Sequence, residues 1–233
     1  EKEGFKITKG VAGIPTAFVA EFGSSGPVIG ILGEFDALPG LAQTNSPFKE
    51  VAINDSGGGH ACGHHLFGAA SAWAAVSIKE WLVENDIDGT VRFYGTPAEE
   101  GGSGKVYMVR EGLFDDVDVV LHWHPDDVNS ANPKTSNSNK SAKFTFKGIS
   151  AHAAGSPELG RSALDGVEAM NMMVNMMREH IPQESRMHYV ITKGGLAPNV
   201  VPDLAEVYYY VRHPEMKVVE ELFQRVVKTA EGA

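Results

Sequence analysis

The sequence predicts an α/β protein with a mainly parallel sheet, followed by a smaller α+β unit. Short apolar runs alternate with helical patterns up to about residue 125, and cleanly alternating strands follow a polar stretch at residues 126–142. We therefore expect one domain over residues 1–138 and a second over residues 139–233. We also expect truncation at both ends, because the chain opens without Met and its final helical pattern has no following element.

The first domain is expected to hold three buried strands and a long helix. Its continuous apolar runs predict strands at residues 27–32, 90–94 and 117–121, and residues 11–22 predict a strand or hairpin arm. The long helix follows residue 65 and carries an apolar stripe at helical spacing that includes Leu66, Trp73 and Trp81. A shorter helix is expected near residues 105–111. Ligands in such sheets bind beyond the carboxyl ends of the strands.

The second domain is expected to follow the order β-α-β-β-α. Strands are predicted at residues 143–147, 187–192 and 205–212, and helices at residues 162–181 and 216–233. The methionines of the first helix, Met170, Met173 and Met177, are interpreted as core packing. This order suggests a ferredoxin-like sandwich that lacks one strand.

Composition excludes several classes of partner. The chain has 233 residues and a net charge of -10, which disfavours nucleic acid and anionic membranes as partners. No apolar run approaches the roughly 18 residues that span a bilayer, and we expect no signal peptide, because no apolar segment follows Glu1-Lys-Glu-Gly4. One cysteine allows no internal disulfide, in agreement with a reducing, cytoplasmic location.

One thiol and three imidazoles are concentrated in His60-Ala-Cys-Gly-His-His65, just before the long helix. The amides at a helix N-terminus lower the pKa of a thiol, and a thiolate beside an imidazole is a ready ligand set for zinc. Two other interpretations stay open. His60 and His65 could be surface or capping residues, and Cys62 could be a nucleophile with His64 as its base.

Acids and histidines follow the predicted strands at their carboxyl ends. Asp36, Glu99, Glu100 and His122 all stand there, which predicts a shared site. Side chains of adjacent residues point to different sides, so one of the two glutamates can bind metal while the other acts as general base. A solvated glutamate pair is the alternative.

The loop after the third buried strand contains a second histidine, His124, close to His122. We expect one of the two to be a metal ligand and the other to support it. The glycine-rich run at residues 101–106 is not a phosphate loop, because Val106 stands where Ser or Thr is required.

Six motifs in a fixed order make the chain resemble a known family. They are Gly33-Glu-Phe-Asp-Ala-Leu-Pro39, His60-Ala-Cys-Gly-His64, Pro97-Ala-Glu-Glu-Gly-Gly102, His122-x-x-Pro125, Ser150-Ala-His-Ala-Ala154 and Pro198-Asn-Val-Val-Pro202. Together they resemble the amidohydrolase subfamily of the co-catalytic zinc peptidases, which includes hippurate hydrolases, N-acyl-amino-acid amidohydrolases and indole-3-acetyl-amino-acid hydrolases. The likeness spans nearly the whole chain.

The resemblance implies a role for each matching residue. The implied metal ligands are Cys62, His64, Glu100 and His122, with Cys62 between two divalent ions, Zn or Mn. Glu99 matches the general base, and Asp36 matches an acid that orients the ligands. In the small domain, His152 matches a histidine that reaches the partner subunit's site, and Asn199 and Arg212 match groups that hold the substrate.

The resemblance also implies an activity: hydrolysis of the amide of an N-acyl or N-aroyl amino acid, with p-aminobenzoyl-glutamate as the best substrate guess. A general N-acyl-amino-acid hydrolase, a dipeptidase or a non-catalytic module on the same fold are the alternatives. A homodimer through the small domain is implied, or pairing with a paralogous subunit. Glu34 and His65 depart from the residues that many relatives have. The family's last metal-binding histidine has no match here, so we expect residues 1–233 alone to be inactive.

Overall fold

A computed structural model describes residues 1–52, 57–131 and 135–233. Its backbone forms two compact units, residues Glu1–Ser130 and Ala131–Ala233. The strands and helices are β1 (Lys6–Lys9), β2 (Phe18–Phe22), β3 (Val28–Glu34), β4 (Leu38–Pro39), β5 (Gly58–Gly59), α1 (His64–Glu84), β6 (Thr90–Thr96), α2 (Glu99–Gly102), α3 (Gly104–Arg110), β7 (Val119–Leu121), β8 (Ser138–Lys147), α4 (Ala163–Met177), β9 (Arg186–Lys193), β10 (Leu204–His213) and α5 (Met216–Gly232).

The first unit is built on a sheet of order β1-β2-β6-β3-β7. Strands β6, β3 and β7 run parallel, and β1 and β2 add an antiparallel hairpin at one edge. The predicted α/β class with a mainly parallel sheet is confirmed. Because β3, β6 and β7 are parallel, their carboxyl ends meet at one edge, where each strand gives way to a loop or helix that carries acids or histidines.

Helix α1 begins at His64, within the Cys/His cluster and two residues earlier than predicted, and its buried face differs from the predicted stripe. Trp73 is 65% exposed and Trp81 54%. The side that faces the sheet carries Phe67, Gly68 and Ala75 instead. A Cβ at Gly68 would lie 2.6 Å from the Glu34 carbonyl oxygen, so the helix approaches β3 as closely as glycine allows. Small residues therefore decide which face packs, since apolar residues occur on both.

The second unit is a sheet of order β8-β10-β9, covered on one face by α4 and α5. Strand β8, which includes the predicted strand at residues 143–147, alternates half-buried and exposed residues along its whole length, as its alternating sequence predicted. Strand β10 alternates buried residues with exposed or half-buried ones. The buried face packs on Val167, Met170 and Val174 of α4, so the interpretation of the methionines as core is confirmed for Met170 and Met177. Strands β8 and β9 are the two sheet edges, and β10 lies between them.

The boundary between the compact units falls between Ser130 and Ala131, whereas the sequence predicted a boundary between residues 138 and 139. The assignment of a separate role to each domain stays a prediction. Among the described helices, none is long and apolar enough to cross a membrane.

Candidate metal centre

The sheet edge at the carboxyl ends of β3, β6 and β7 gathers most of the predicted site residues. Asp36 follows β3, α2 begins at Glu99 shortly after β6, and His122 follows β7. Helix α1 begins at His64 and packs on β3. The elements that carry the chemistry therefore end or begin at one place.

His64 lies at the centre of this edge and is only 1% exposed. Its Nδ1 is 2.9 Å from the backbone oxygen of Asp36. A carbonyl oxygen only accepts, so Nδ1 carries the hydrogen and Nε2 presents a lone pair. Within the described part of the chain, His64 Nε2 is buried without a hydrogen-bond partner. It lies 3.1 Å from Glu34 Oε2 and 3.8 Å from Glu99 Oε2. A buried lone pair that faces two carboxylates fits a cation between them.

Glu34 is the residue that sequence reasoning left out of the site. It is 3% exposed, and its Oε1 contacts Lys105 Nζ and, at 3.2 Å, His122 Nε2. Burial acts to raise the pKa of the Glu34 carboxyl, but hydrogen bonds from His122 and Lys105 outweigh it and lower the pKa to about 2. The signal was available, because Glu34 is the last residue of a buried strand, two positions before Asp36.

Cys62 and Glu100 come together through a hydrogen bond between thiol and carboxylate. This contact is the main cause that raises the pKa of the Cys62 thiol, followed by burial and the charges of Glu99 and Glu34. The sequence predicted a lowered thiol pKa at the helix N-terminus. That prediction is wrong for this arrangement, because three carboxylates surround the thiol.

Glu99, the first glutamate of the pair, is half-exposed and has a raised pKa. Burial is the main cause, and the negative charges of Glu34 and Glu100 raise the pKa further. A carboxylate with a raised pKa is better matched to accept a proton near neutral pH than an ordinary surface glutamate.

The loop after β7 presents both of its histidines to the site. The buried ring of Phe67 contacts His64, His122 and His124, with centroids 5.2–6.1 Å apart. Between the two loop histidines, Trp123 Nε1 donates to Ser71 Oγ at 3.0 Å and fixes the loop to α1. His124 Nδ1 lies 2.9 Å from the Pro125 oxygen, so His124 is held in the same tautomer as His64.

Among the described residues, two sets of three side chains could each hold a metal ion. Within each set, the possible ligand atoms all lie within 4.8 Å of one another. One set is Cys62, His64 and His124, and the other is Glu34, His64 and Glu99. Sulfur, nitrogen and oxygen donors in this combination suit zinc or a similar divalent ion. Glu100 and His122 lie outside both sets but contact Cys62 and Glu34 respectively. The residues present therefore fit a metal centre.

The backbone around the glutamate pair is held in an unusual conformation. Ala98 and Ser103, which bracket α2, have φ of 60° and 53°, in the left-handed region. A Cβ at Gly104 would lie 2.1 Å from the Pro97 oxygen, so this turn requires glycine. Non-glycine residues in this region cost free energy and cluster at functional sites.

In the second unit, His152 and Asn199 lie on neighbouring segments. His152 forms a β-bridge with Val200, and the Asn199 oxygen accepts from Ala153 N at 3.0 Å. His152 Nδ1 accepts from the amides of Ala154 and Gly155, at 3.2 and 2.9 Å. The proton of the neutral ring is therefore on Nε2, which leaves the exposed side chain of His152 as a donor.

Arg212 lies at the opposite end of the same sheet. It pairs with Asn139 on β8, whereas the His152 segment joins the sheet where Leu204 pairs with Lys147. Eight residues from 204 to 212 span about 26 Å at roughly 3.3 Å per strand residue. The structure thus brings His152 and Asn199 together and keeps Arg212 away from both within one chain. Arg212 lies 5.2 Å from the Tyr210 ring centroid, and its buried Nε lacks a hydrogen-bond partner among the described residues.

Known proteins match both compact units of this chain. Residues 135–233 match the peptidase dimerisation domain of the M20 family. A dinuclear metal-binding M20 peptidase from Bacillus subtilis has the same fold, with 25% identity, a TM-score of 0.57, and coverage of 99% of this chain and 60% of that one. A p-aminobenzoyl-glutamate hydrolase subunit from Escherichia coli (strain K12) is 50% identical over 100% of this chain and 49% of its own length. The chain is therefore similar to M20 peptidases over nearly its whole length, and residues 135–233 match their dimerisation domain.

The resemblance inferred from the six motifs is therefore confirmed. Another relative, the Xaa-Arg dipeptidase of Mus musculus, is 33% identical over 91% of this chain and 47% of its own length. The chain spans about half the length of the curated relatives that it matches. The roles of its individual residues stay predictions.

Proposed function

We propose that this chain belongs to a metal-dependent amidohydrolase that cleaves the amide of an N-acyl or N-aroyl amino acid. The observation that carries the proposal is the buried lone pair of His64 Nε2, which faces the carboxylates of Glu34 and Glu99. A buried acceptor that faces acceptors is costly unless a cation lies between them. Fifty per cent identity to a p-aminobenzoyl-glutamate hydrolase subunit supports the reaction class.

Two divalent ions, zinc or manganese, would be held by Cys62, His64, Glu100 and His122. An ion bound there supplies Lewis acidity, which lowers the pKa of water and polarises the amide carbonyl. Glu99 is left to take the proton from water and pass it to the leaving nitrogen. Its raised pKa and partial exposure suit this task. Asp36 holds the arrangement in place through its backbone contact with His64 and its side-chain contact with Glu100.

The small domain would supply the groups that recognise the substrate. His152 Nε2–H would stabilise the developing oxyanion, and Arg212 would bind the substrate carboxylate. Because about 26 Å of strand separates Arg212 from the His152 segment, both can act on one small molecule only if they come from different subunits. We therefore propose a dimer in which each active site takes His152 from one chain and Arg212 from the other.

The preferred substrate proposal is p-aminobenzoyl-glutamate, which would yield p-aminobenzoate and glutamate. A dipeptidase is the second candidate, favoured by the 33% identity to an Xaa-Arg dipeptidase. The test is to incubate the zinc- or manganese-loaded full-length protein, rather than residues 1–233 alone, with p-aminobenzoyl-glutamate, hippurate, indoleacetyl-aspartate and a dipeptide that ends in arginine. We expect the highest kcat/KM with p-aminobenzoyl-glutamate. Faster cleavage of the dipeptide would select the second candidate, and no hydrolysis with bound metal would support a non-catalytic module.

A further inference from the structure

One carboxylate oxygen of Glu34 and one ring nitrogen of His64 lie close together without a hydrogen bond between them. Glu34 Oε2 lies 3.1 Å from His64 Nε2, and the Asp36 carbonyl fixes the hydrogen of His64 on the other ring nitrogen. The two atoms therefore lie side by side as acceptors, with no hydrogen bond between them, in a pocket where both residues are nearly fully buried. Such a contact is repulsive in the neutral tautomer of His64, and an ion shared by the two atoms would make it attractive.

We propose that Glu34 is itself a metal ligand and binds, through Oε2, the same divalent ion as His64 Nε2. The two oxygens of Glu34 are already divided between two tasks. Oε1 receives Lys105 Nζ and lies 3.2 Å from His122 Nε2, whereas Oε2 is turned towards His64. Glu99 Oε2, on the proposed general base, lies 3.8 Å from His64 Nε2 and so stands beside the same point.

Lys105 is a positioning residue in this arrangement. Its ion pair with Oε1 orients the Glu34 carboxylate so that Oε2 points at the site. Lys105 also offsets one of the negative charges that Glu34, Glu99 and Glu100 bring to the edge. Carboxylate ligands of metals are themselves usually hydrogen-bonded by such partners.

This inference rests on the proposed metal-dependent function and adds a ligand that the motif resemblance does not include. A ligand role would also give a reason for the glutamate at position 34, where many relatives have aspartate. Glutamate extends one methylene further than aspartate, and here that length brings a strand-end carboxylate to the ring nitrogen on the neighbouring helix.

The first test is a crystal structure of the zinc-loaded protein, with the zinc placed by anomalous scattering. We expect an ion about 2.0–2.2 Å from both Glu34 Oε2 and His64 Nε2. An ion bound by His64 with Glu34 Oε2 more than about 3 Å away would overturn the inference and leave the proposed function intact. Absence of any bound zinc in the wild-type protein would defeat both.

The second test is equilibrium dialysis of zinc against Glu34→Gln, with Glu21→Gln as the matched control. Glu21 is on strand β2 of the same sheet and pairs with Arg92, away from the site. We expect Glu34→Gln to weaken zinc binding by more than about 100-fold, beyond the roughly 10–100-fold typical of a residue that only supports a ligand. A smaller loss would assign Glu34 a supporting role. Circular dichroism checks folding, and the wild-type crystal structure decides the matter if the variant does not fold.

Discussion

The Asp36 carboxylate accepts a hydrogen bond from the backbone amide of Glu100, with 2.9 Å between Oδ2 and N. The backbone oxygen of the same residue holds His64 Nδ1 at 2.9 Å. Asp36, in the loop after β3, therefore fixes both the first turn of α1 and the first turn of α2. The Glu100 side depends on the Asp36 side chain, whereas the hydrogen bond to His64 comes from the Asp36 backbone oxygen, with Oδ1 as a longer contact at 3.4 Å.

Asp36→Ala should weaken zinc binding by about 10–100-fold without abolishing it, because the backbone contact to His64 survives while the Glu100 turn loses its anchor. The measurement is zinc affinity by competition with a chelator. Asp88→Ala is the control, since Asp88 is an exposed acid whose side chain contacts Ser25. A zinc affinity equal to that of the control would show that Asp36 does not support the site.

Glu99→Gln should lower kcat by about 100-fold or more while zinc content stays near that of the wild type, because a proton acceptor is lost and the proposed ligands remain. Steady-state kinetics and metal analysis of the same preparation give both numbers. Glu111→Gln, at an exposed position just after α3, should change neither. Loss of zinc together with activity would instead identify Glu99 as a ligand.

Mixtures of two inactive variants test whether His152 and Arg212 act from different subunits. His152→Ala and Arg212→Ala should each lose most activity. When they are unfolded and refolded together, random pairing should restore about a quarter of wild-type turnover, because one site of each mixed dimer regains both groups. Size-exclusion chromatography confirms dimer formation. No recovery in mixed dimers would mean that both groups serve a site from the same chain.

The proposed dimer contact has a candidate surface on the second unit. Met172 and Met176 on α4 are 60% and 66% exposed, next to Ile191 on the edge strand β9. Exposed edge strands and apolar patches favour pairing with another chain. Met172→Glu combined with Met176→Glu should convert a dimer to a monomer in analytical ultracentrifugation. Met216→Glu, an exposed methionine at the start of α5, should leave the dimer unchanged. A dimer that survives the double substitution would exclude this surface.

Because Ala98 has a left-handed backbone conformation, glycine substitution there should change the free energy of unfolding in the opposite direction from glycine substitution inside a helix. Ala98→Gly should raise the free energy of unfolding by about 1 kcal/mol, because glycine adopts φ of 60° without the Cβ penalty. Ala69→Gly, at an exposed position inside α1, should lower it by about 0.5–1 kcal/mol. Urea denaturation of the metal-free protein measures both. Equal losses at the two positions would contradict the strain at Ala98.

The sheet edge that holds the site follows from local patterns in the sequence. Buried runs followed by Asp36, Glu99 and His122 were sufficient to predict convergence, because parallel strands end at a common edge. The exposed face of α1 could not be predicted in this way. Trp73 and Gly68 both lie on apolar stripes, and the steric fit to β3 selects the glycine side.

The charged interior of the site was harder to predict. Glu34 belongs to a buried strand, and its partner Lys105 is 71 residues away in sequence, so no local spacing connects them. The separation of Arg212 from Asn199 is also invisible in a motif, because nearby positions move far apart once the chain between them extends as a strand.

The close approach of Gly68 to the Glu34 carbonyl fixes the spacing between α1 and β3 beside the proposed metal site. His64 stands four residues before Gly68, one turn away on α1, and the Glu34 side chain leaves the strand at the residue that Gly68 touches. The size of the side chain at position 68 therefore limits how closely α1 approaches β3, and with it the distance between His64 and Glu34. A single added methyl group there would push helix and strand apart and so change the proposed metal site from a position outside its proposed ligands.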